Sequence, residues 1–256
     1  MGIGYVIGCM LSILFWKIDR HEIFLEVYNK IRNKIKNSII ITIIFIMLVI
    51  FLWWIGKVKI EISGLKEIIN LAVCFLVLDV SNTERKNLKR KDKVYFYNSI
   101  SSISKSLVCG FIAPLFYMFL FGNNFAIIYT FVFQLSSIED LYIFRPLWKI
   151  MNIVPSVIAD IFLYLVFIIK RRKIKIQADY MWNLINRPLL NVDIIAAYIE
   201  DLNFYYYYTE NYNNYMIKYG SSNKEVDEAC IRSYLGIEYL ICMMAFLLFF
   251  MLLLWR

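Results

Sequence analysis

The residues of this chain that could do chemistry are ionisable side chains set in or beside long apolar runs: Asp79, Glu139, Asp140, Arg145, Lys149, Asp160 and Glu238. A carboxylate in such a run cannot face lipid as an anion. It must face other helices, a cavity or the interface, and the functional reading of such a group is a polar wall of a ligand cavity. Asp160, in the middle of the run Ile150 to Ile169, is the most constrained of them. Its alternatives are an interhelical hydrogen bond, a pair with Arg145 or Lys149, or a place in the wall of a ligand cavity. Glu139, Asp140, Arg145 and Asp160 are the candidate polar residues of such a cavity.

The chemistry of soluble enzymes is poorly represented. The single histidine, His21, sits in a charged segment, so a histidine triad or metal site has no material. The cysteines Cys9, Cys74, Cys109, Cys230 and Cys242 form no C-x-x-C pair and mostly lie in apolar runs, where they serve as small hydrophobes. There is no phosphate-cradling glycine motif. No residue is assigned as catalytic and none as a metal ligand.

The elements that must hold these groups are membrane helices. Of the 256 residues 61% are apolar and 18% aromatic, with a mean hydropathy of +0.60, too much apolar surface for a water-soluble globule. The expectation is an all-α, polytopic helical membrane protein of one domain over residues 1–256, with about five to seven passages of ~20 residues each. Ile3 to Trp16 reads as a short anchor, and Lys17 to Lys36 as an interfacial amphipathic helix. Ser38 to Gly56 reads as a spanning helix ending on Trp53 and Trp54 at headgroup level, and Ile68 to Val80 as a short or tilted one. Ile150 to Ile169 and Tyr234 to Leu254 complete the spans.

Lys17 to Lys36, Glu84 to Lys93 and Lys170 to Lys175 are basic clusters that should share the cytoplasmic side. They do so only if Leu107 to Ile138, interrupted at Gly122-Asn-Asn124, makes one net crossing. A broken or re-entrant segment near 107–138 follows, and such a break is tolerated where backbone lines a cavity. Residues 174–224 read as a polar extramembrane segment, its tyrosines an interfacial belt or a stacking surface. Ser222-Asn-Lys-Glu225 has capping-box spacing and should start the last helix. The net charge of +8 suits anionic headgroups of the plasma membrane and calls for no nucleic acid.

One word is specific. Gly110-Phe-Ile-Ala113-Pro114-Leu115-Phe116-Tyr117 resembles the D-G-V-V-A-P-L-F-Y signature of the CobD/CbiB cobalamin-biosynthesis family of membrane proteins. Tyr129 to Ile138 falls where that family has Y-x-x-x-N-T-L-D-S-M, and Asn152-Ile-Val-Pro155 where it has N-x-I-P. Arg187-Pro188 and Ala196-Ala197 fall on its later S-P-N and E-A-A-M-A segments, so the likeness spans about residues 70 to 250.

The resemblance implies linkage of an aminopropanol unit to adenosylcobyric acid, a corrinoid ligand, other cobalamin-pathway membrane proteins as partners, and ATP with magnesium if that activity is retained. It makes Gly110, Ala113, Pro114, Leu115, Phe116, Tyr117, Asn152 and Pro155 structural motif residues. The family's polar groups, however, are replaced. Ser101, Lys105, Ser106 and Cys109 stand at two Glu, an Asn and an Asp; Phe133 and Ser136 at an Asn and an Asp; Trp148 and Lys149 at an Asp pair; Leu189 and Ile195 at an Asn and a Glu. A catalytically inactive homologue, acting as membrane scaffold, sensor or signalling protein like the related AmpE-type proteins, is the alternative.

Overall fold

The computed structural model describes residues 2–15, 18, 20–35, 37–55, 63–79, 100–170, 187–210, 213–220, 224 and 226–255. Among these the elements are α1 (Ile3–Leu14), α2 (Arg20–Lys34), α3 (Ser38–Ile55), α4 (Ser63–Val77), α5 (Ile100–Phe121), α6 (Asn123–Ser136), a short turn at Glu139–Leu141, α7 (Phe144–Lys170) and α8 (Leu190–Ile199). A hairpin of β1 (Phe204–Glu210) and β2 (Asn213–Tyr219) precedes the last helix, α9 (Glu228–Trp255). The basic stretch Glu84 to Lys93 and the residues after Lys170 in the third cluster lie outside the described residues.

Among the described residues three helices, α5, α7 and α9, are long and apolar enough to cross a membrane. α5 is mostly buried and forms the axis of the bundle. α7 and α9 wrap it and turn outward rows such as Ile161, Leu165 and Ile168 or Met243, Leu247 and Met251, the pattern of helices with lipid on one side. α3 has 18 residues, about 27 Å of helix at 1.5 Å per residue, with only Ile41, Thr42 and Phe45 buried. Trp53 and Trp54 are exposed at its end.

The segment 107–138 breaks where the sequence indicates. α5 ends at Phe121 and α6 begins at Asn123, and Gly122 alone makes the reversal with φ 85° and ψ −178°. That positive φ is glycine territory. The two helices then run back along each other, Tyr117 stacked on Tyr129 with ring centroids 5.1 Å apart and Phe121 against Phe125 at 4.8 Å.

α1 and α4 approach so closely because α1 carries Gly4 and Gly8 on one stripe, the spacing that lets helix backbones touch in membranes. A Cβ on Gly4 would stand 2.2 Å from the Glu67 carbonyl oxygen, and one on Gly8 2.6 Å from that of Leu71. Glu67 also turns back over the start of α1, accepting hydrogen bonds from the Gly2 and Gly4 N–H groups, where a helix N-terminus favours an anion. Asn123, at the head of α6, closes the junction: its amide donates to Asn70 Oδ1 at 2.7 Å and its oxygen accepts from the Tyr5 hydroxyl at 2.8 Å. α2, α3 and α6 share a second, aromatic core of Phe24, Tyr28, Phe45 and Phe131.

Residues 187–219 hold more structure than a polar segment implies. α8 is buried along most of its length, and the run of β-prone tyrosines pairs antiparallel with the following strand, Phe204 opposite Tyr219. Arg187 lies over the Tyr206 ring at 4.3 Å. Ser222 and Glu225 lie outside the described residues; the last helix starts at Glu228, capped by Asp227, whose carboxylate accepts the Cys230 N–H at 2.7 Å. The Cys230 thiol first, and then this backbone N–H, hold the Asp227 carboxyl below its usual range.

Candidate functional site

Proline inside a helix orphans the carbonyl four residues earlier, and in a membrane protein that oxygen needs a partner from the protein. Both helix prolines of the resembled motifs have one. Pro114 withholds an N–H from Gly110, and the Gly110 carbonyl accepts the N–H of Asp79, at the end of α4, at 3.0 Å. Pro155 withholds one from Met151, and the Met151 carbonyl accepts the Tyr117 hydroxyl at 2.8 Å. The tyrosine of the APLFY word thus completes the hydrogen bonding of the N-x-x-P word. Around Pro114 the helix also widens to π-helical winding over Ser106–Ile112.

Gly110 is required by this arrangement. A Cβ there would lie 2.2 Å from the Asp79 carbonyl oxygen, because the α4 terminus crosses directly over it. Arg20 of α2 holds the same terminus, donating to the Leu78 carbonyl at 2.9 Å and pairing with Asp79 at 3.3 Å, with its guanidinium 4.7 Å from the Phe75 ring. Burial pulls the Arg20 guanidinium below its ordinary range, and the Asp79 carboxylate opposes that shift.

Beside this knot lies a polar centre. Asn152 is fully buried on α7; its oxygen accepts from the Tyr129 hydroxyl at 2.8 Å and the Cys109 thiol at 3.4 Å, and its amide donates to the Trp148 carbonyl at 2.8 Å. One turn before Cys109, the exposed Lys105 ammonium lies 5.5 Å from the Trp148 ring and 5.6 Å from that of Phe133. A further turn back, Ser101 donates to Asp193 of α8 at 2.9 Å. Ser104 meets the Tyr234 hydroxyl of α9 at 2.9 Å. Asp160 and Glu238 lie within electrostatic reach of Asp193. Each of these three acids keeps one buried oxygen without a hydrogen-bond partner.

The four residues singled out as a cavity wall are not together. Asp140 is exposed beside α2, accepting from the Tyr28 hydroxyl at 3.0 Å and pairing with Arg32 at 3.2 Å. Burial and the neighbouring Asp140 push the Tyr28 hydroxyl up. Glu139 and Arg145 are exposed near the same end of α7, and Asp160 lies about 24 Å further along the helix by its rise. Of the four, only Asp160 reaches the polar centre. Asp160 also pairs with neither Arg145 nor Lys149, which are exposed near the far end. Asp193 lies on α8, in a stretch whose sequence reads as part of an extramembrane segment. The signal was a lone acid in the apolar run Leu189 to Ile199. His21 meets Gln134 of α6.

The motif residues behave as a packing unit: Gly110, Ala113, Pro114 and Leu115 of α5 and Asn152 and Pro155 of α7 are buried, Phe116 and Tyr117 partly so. Among the described residues no group of three His, Cys, Asp or Glu is gathered closely enough to hold a metal ion. No family model, no curated protein and no solved structure matches the chain.

The proline pairing carries a prediction. Tyr117→Phe should destabilise the protein by about 1–3 kcal/mol, the cost of leaving a buried carbonyl unmet. Pro155→Ala restores the missing N–H to Met151. In that background Tyr117→Phe should cost much less, so a double-mutant cycle by thermal unfolding in detergent should give a coupling of about 1 kcal/mol or more. Additive effects would mean that the hydroxyl serves another purpose.

Proposed function

We propose that the chain is a divergent CobD/CbiB-like membrane protein of the cobalamin pathway that binds a corrinoid-pathway ligand without ligating it. One observation supports the reading. Positions that the resemblance takes from separate family motifs, Ser101, Lys105, Cys109, Phe133, Trp148 and Asn152, meet at one place beside α8. A site whose parts come from distant stretches of chain is what a shared architecture would leave behind, even where the side chains have changed.

The donor set argues against retained ligase chemistry. A magnesium nucleotide needs convergent hard oxygen ligands. Here Lys105 places a cation where the resemblance implies a carboxylate, and the acids sit on separate helices. The residues do not fit ATP with magnesium, and no step through them is derived. In this reading the hairpin α5–α6 is the broken segment, α5 crossing fully and the 14-residue α6 returning only part of the way, so that the basic clusters share the cytoplasmic face of the plasma membrane. The second reading, an active synthase with displaced acids, is favoured only by the presence of Asp160, Asp193 and Glu238 at the centre.

Two measurements test this. Purified in detergent and mixed with cobyric acid, the chain should co-elute with corrinoid absorbance; elution free of colour sinks the corrinoid reading. Expressed in a bacterial strain lacking its own CobD/CbiB protein, it should reach the membrane and fail to restore corrinoid-limited growth. Growth that is restored, and lost again in Asp193→Asn or Asp160→Asn, would establish the synthase instead.

A further inference from the structure

The hairpin leaves one edge of backbone uncovered. Among the described residues it is a sheet of two strands, and β2 has no neighbouring strand but β1. Phe204 of β1 is buried, and Tyr206 and Tyr219 pack against the bundle core. The middle of β2 stands clear of that support: Tyr215 is 44% exposed, Met216 54% and Ile217 37%, with Lys218 exposed beside them. Two strands alone are marginally stable in water, and a flat apolar edge is a template for a further strand.

The register fixes which backbone groups are left over. Only two residues separate the strands, so the closing pair, Glu210 and Asn213, exchanges its N–H and C=O bonds, and bonded pairs alternate from there to Tyr215, Ile217 and Tyr219. The N–H and C=O groups of Asn214, Met216 and Lys218 therefore point the other way, out of the sheet edge. Laid antiparallel on a second β2 with Met216 opposite Met216, all three find partners: Met216 bonds to Met216, and Asn214 to Lys218 in both directions. Moving the axis by one residue either way leaves one of the three without a partner in the opposing strand.

We propose that β2 pairs antiparallel with β2 of a second copy of this chain, Met216 on the two-fold axis, joining two hairpins into one four-stranded sheet. The residue types suit that register. Tyr215 falls opposite Ile217 on both sides of the axis, an aromatic against a β-branched side chain at the closer Cα spacing. Lys218, the one charge along the exposed edge, falls opposite Asn214 and not opposite a second lysine, so the edge is complementary to itself. A two-fold axis perpendicular to the sheet also keeps Phe204, Tyr206 and Tyr219 on the same side in both copies. Both bundles then lie on one side of the sheet, as two copies inserted the same way in one membrane require.

Disulfide cross-linking of the full chain in membranes tests the register and needs no ligand, so it succeeds or fails independently of the corrinoid reading. On the axis the two Met216 Cα atoms stand about 5.5 Å apart, within disulfide range, whereas the two Lys218 Cα atoms stand roughly 14 Å apart. After mild oxidation Met216→Cys should run as a linked dimer and Lys218→Cys as a single chain. The parent should stay unlinked, because its five cysteines are buried. In detergent, light scattering should give the parent the mass of two 30.6 kDa chains and Met216→Pro the mass of one. Proline removes an N–H that points away from β1, so the hairpin keeps its own bonds. Met216→Lys sets two ammonium groups on the axis and should give the single-chain mass too, which keeps the test open if the proline variant does not fold. Equal linking of Met216→Cys and Lys218→Cys, linking of neither, as for an edge lying against lipid headgroups, a parent of single-chain mass, or an undiminished dimer in Met216→Lys would each overturn the proposal.

Discussion

A Gly110→Ala protein should be destabilised by at least about 3 kcal/mol, the upper range for forcing atoms into a packed interior. In practice it should fail to elute as a single species from detergent. The methyl group would stand 2.2 Å from the Asp79 carbonyl oxygen, and the obstacle is backbone, which cannot swing aside as a side-chain tip can. Relief requires lifting the end of α4 from α5. That breaks the Asp79 N–H bond to the Gly110 carbonyl, the oxygen that Pro114 already leaves without a helical partner, and pulls on the Arg20 pairing. Gly236→Ala is the matched control. It is also a glycine within a long helix, but nothing lies within 4 Å of its would-be Cβ, so it should gain about 0.5–1 kcal/mol from helix propensity. If the two variants unfold at the same temperature, the close crossing of α4 over Gly110 is wrong.

The second large effect is expected at the α1–α4 contact. Gly8→Leu puts a branched side chain where even a Cβ would be 2.6 Å from the Leu71 carbonyl oxygen and 2.8 Å from the Cys74 Cβ. The helices must separate. With them go the Ser12 hydroxyl bond to the Leu78 carbonyl and the Tyr5 bond to Asn123, so the loss should be cooperative. Cysteine accessibility provides the measurement: Cys74, fully buried in the parent, should react with a thiol reagent in folded Gly8→Leu protein at a rate at least tenfold higher. Gly64→Ala, on α4 with open space around it, should leave that rate unchanged. Equal rates in Gly8→Leu and the parent would show that the stripe does not hold α1 in place.

Much of the fold was legible because a bilayer imposes few solutions. Runs such as Ile150 to Ile169 and Tyr234 to Leu254 can only be helices there, and the structure extends each of them by a turn or two at the polar end, with Asp227 capping the start of α9. The break at Gly122 was equally plain, since a glycine followed by two asparagines interrupts an apolar run. The Gly4-x-x-x-Gly8 stripe is legible too, and it turns the short α1 from an anchor into a packed element. The hairpin was hidden because a run of tyrosines next to membrane helices serves an interface as readily as a strand, and only its pairing with Asn213–Tyr219 distinguishes the two.

What the sequence determined alone is the class and the punctuation: helices of membrane-crossing length, where they stop, and the glycines and prolines that bend them. These follow from hydropathy and backbone covalency, which act locally. Tertiary structure decided which groups answer the punctuation and which acids meet. That Tyr117 serves the carbonyl orphaned by Pro155 depends on α5 and α7 lying side by side, and no spacing along the chain encodes it. Asp140 and Asp160 are both candidate cavity residues in sequence, yet the turn before α7 carries the first out to Arg32 while α7 carries the second in toward Asp193. Ser104 and Tyr234, 130 residues apart, share a buried hydrogen bond only because α5 and α9 pack against each other. Hydrogen bonds reach about 3 Å, so a polar centre assembled from five helices exists only once those helices have packed.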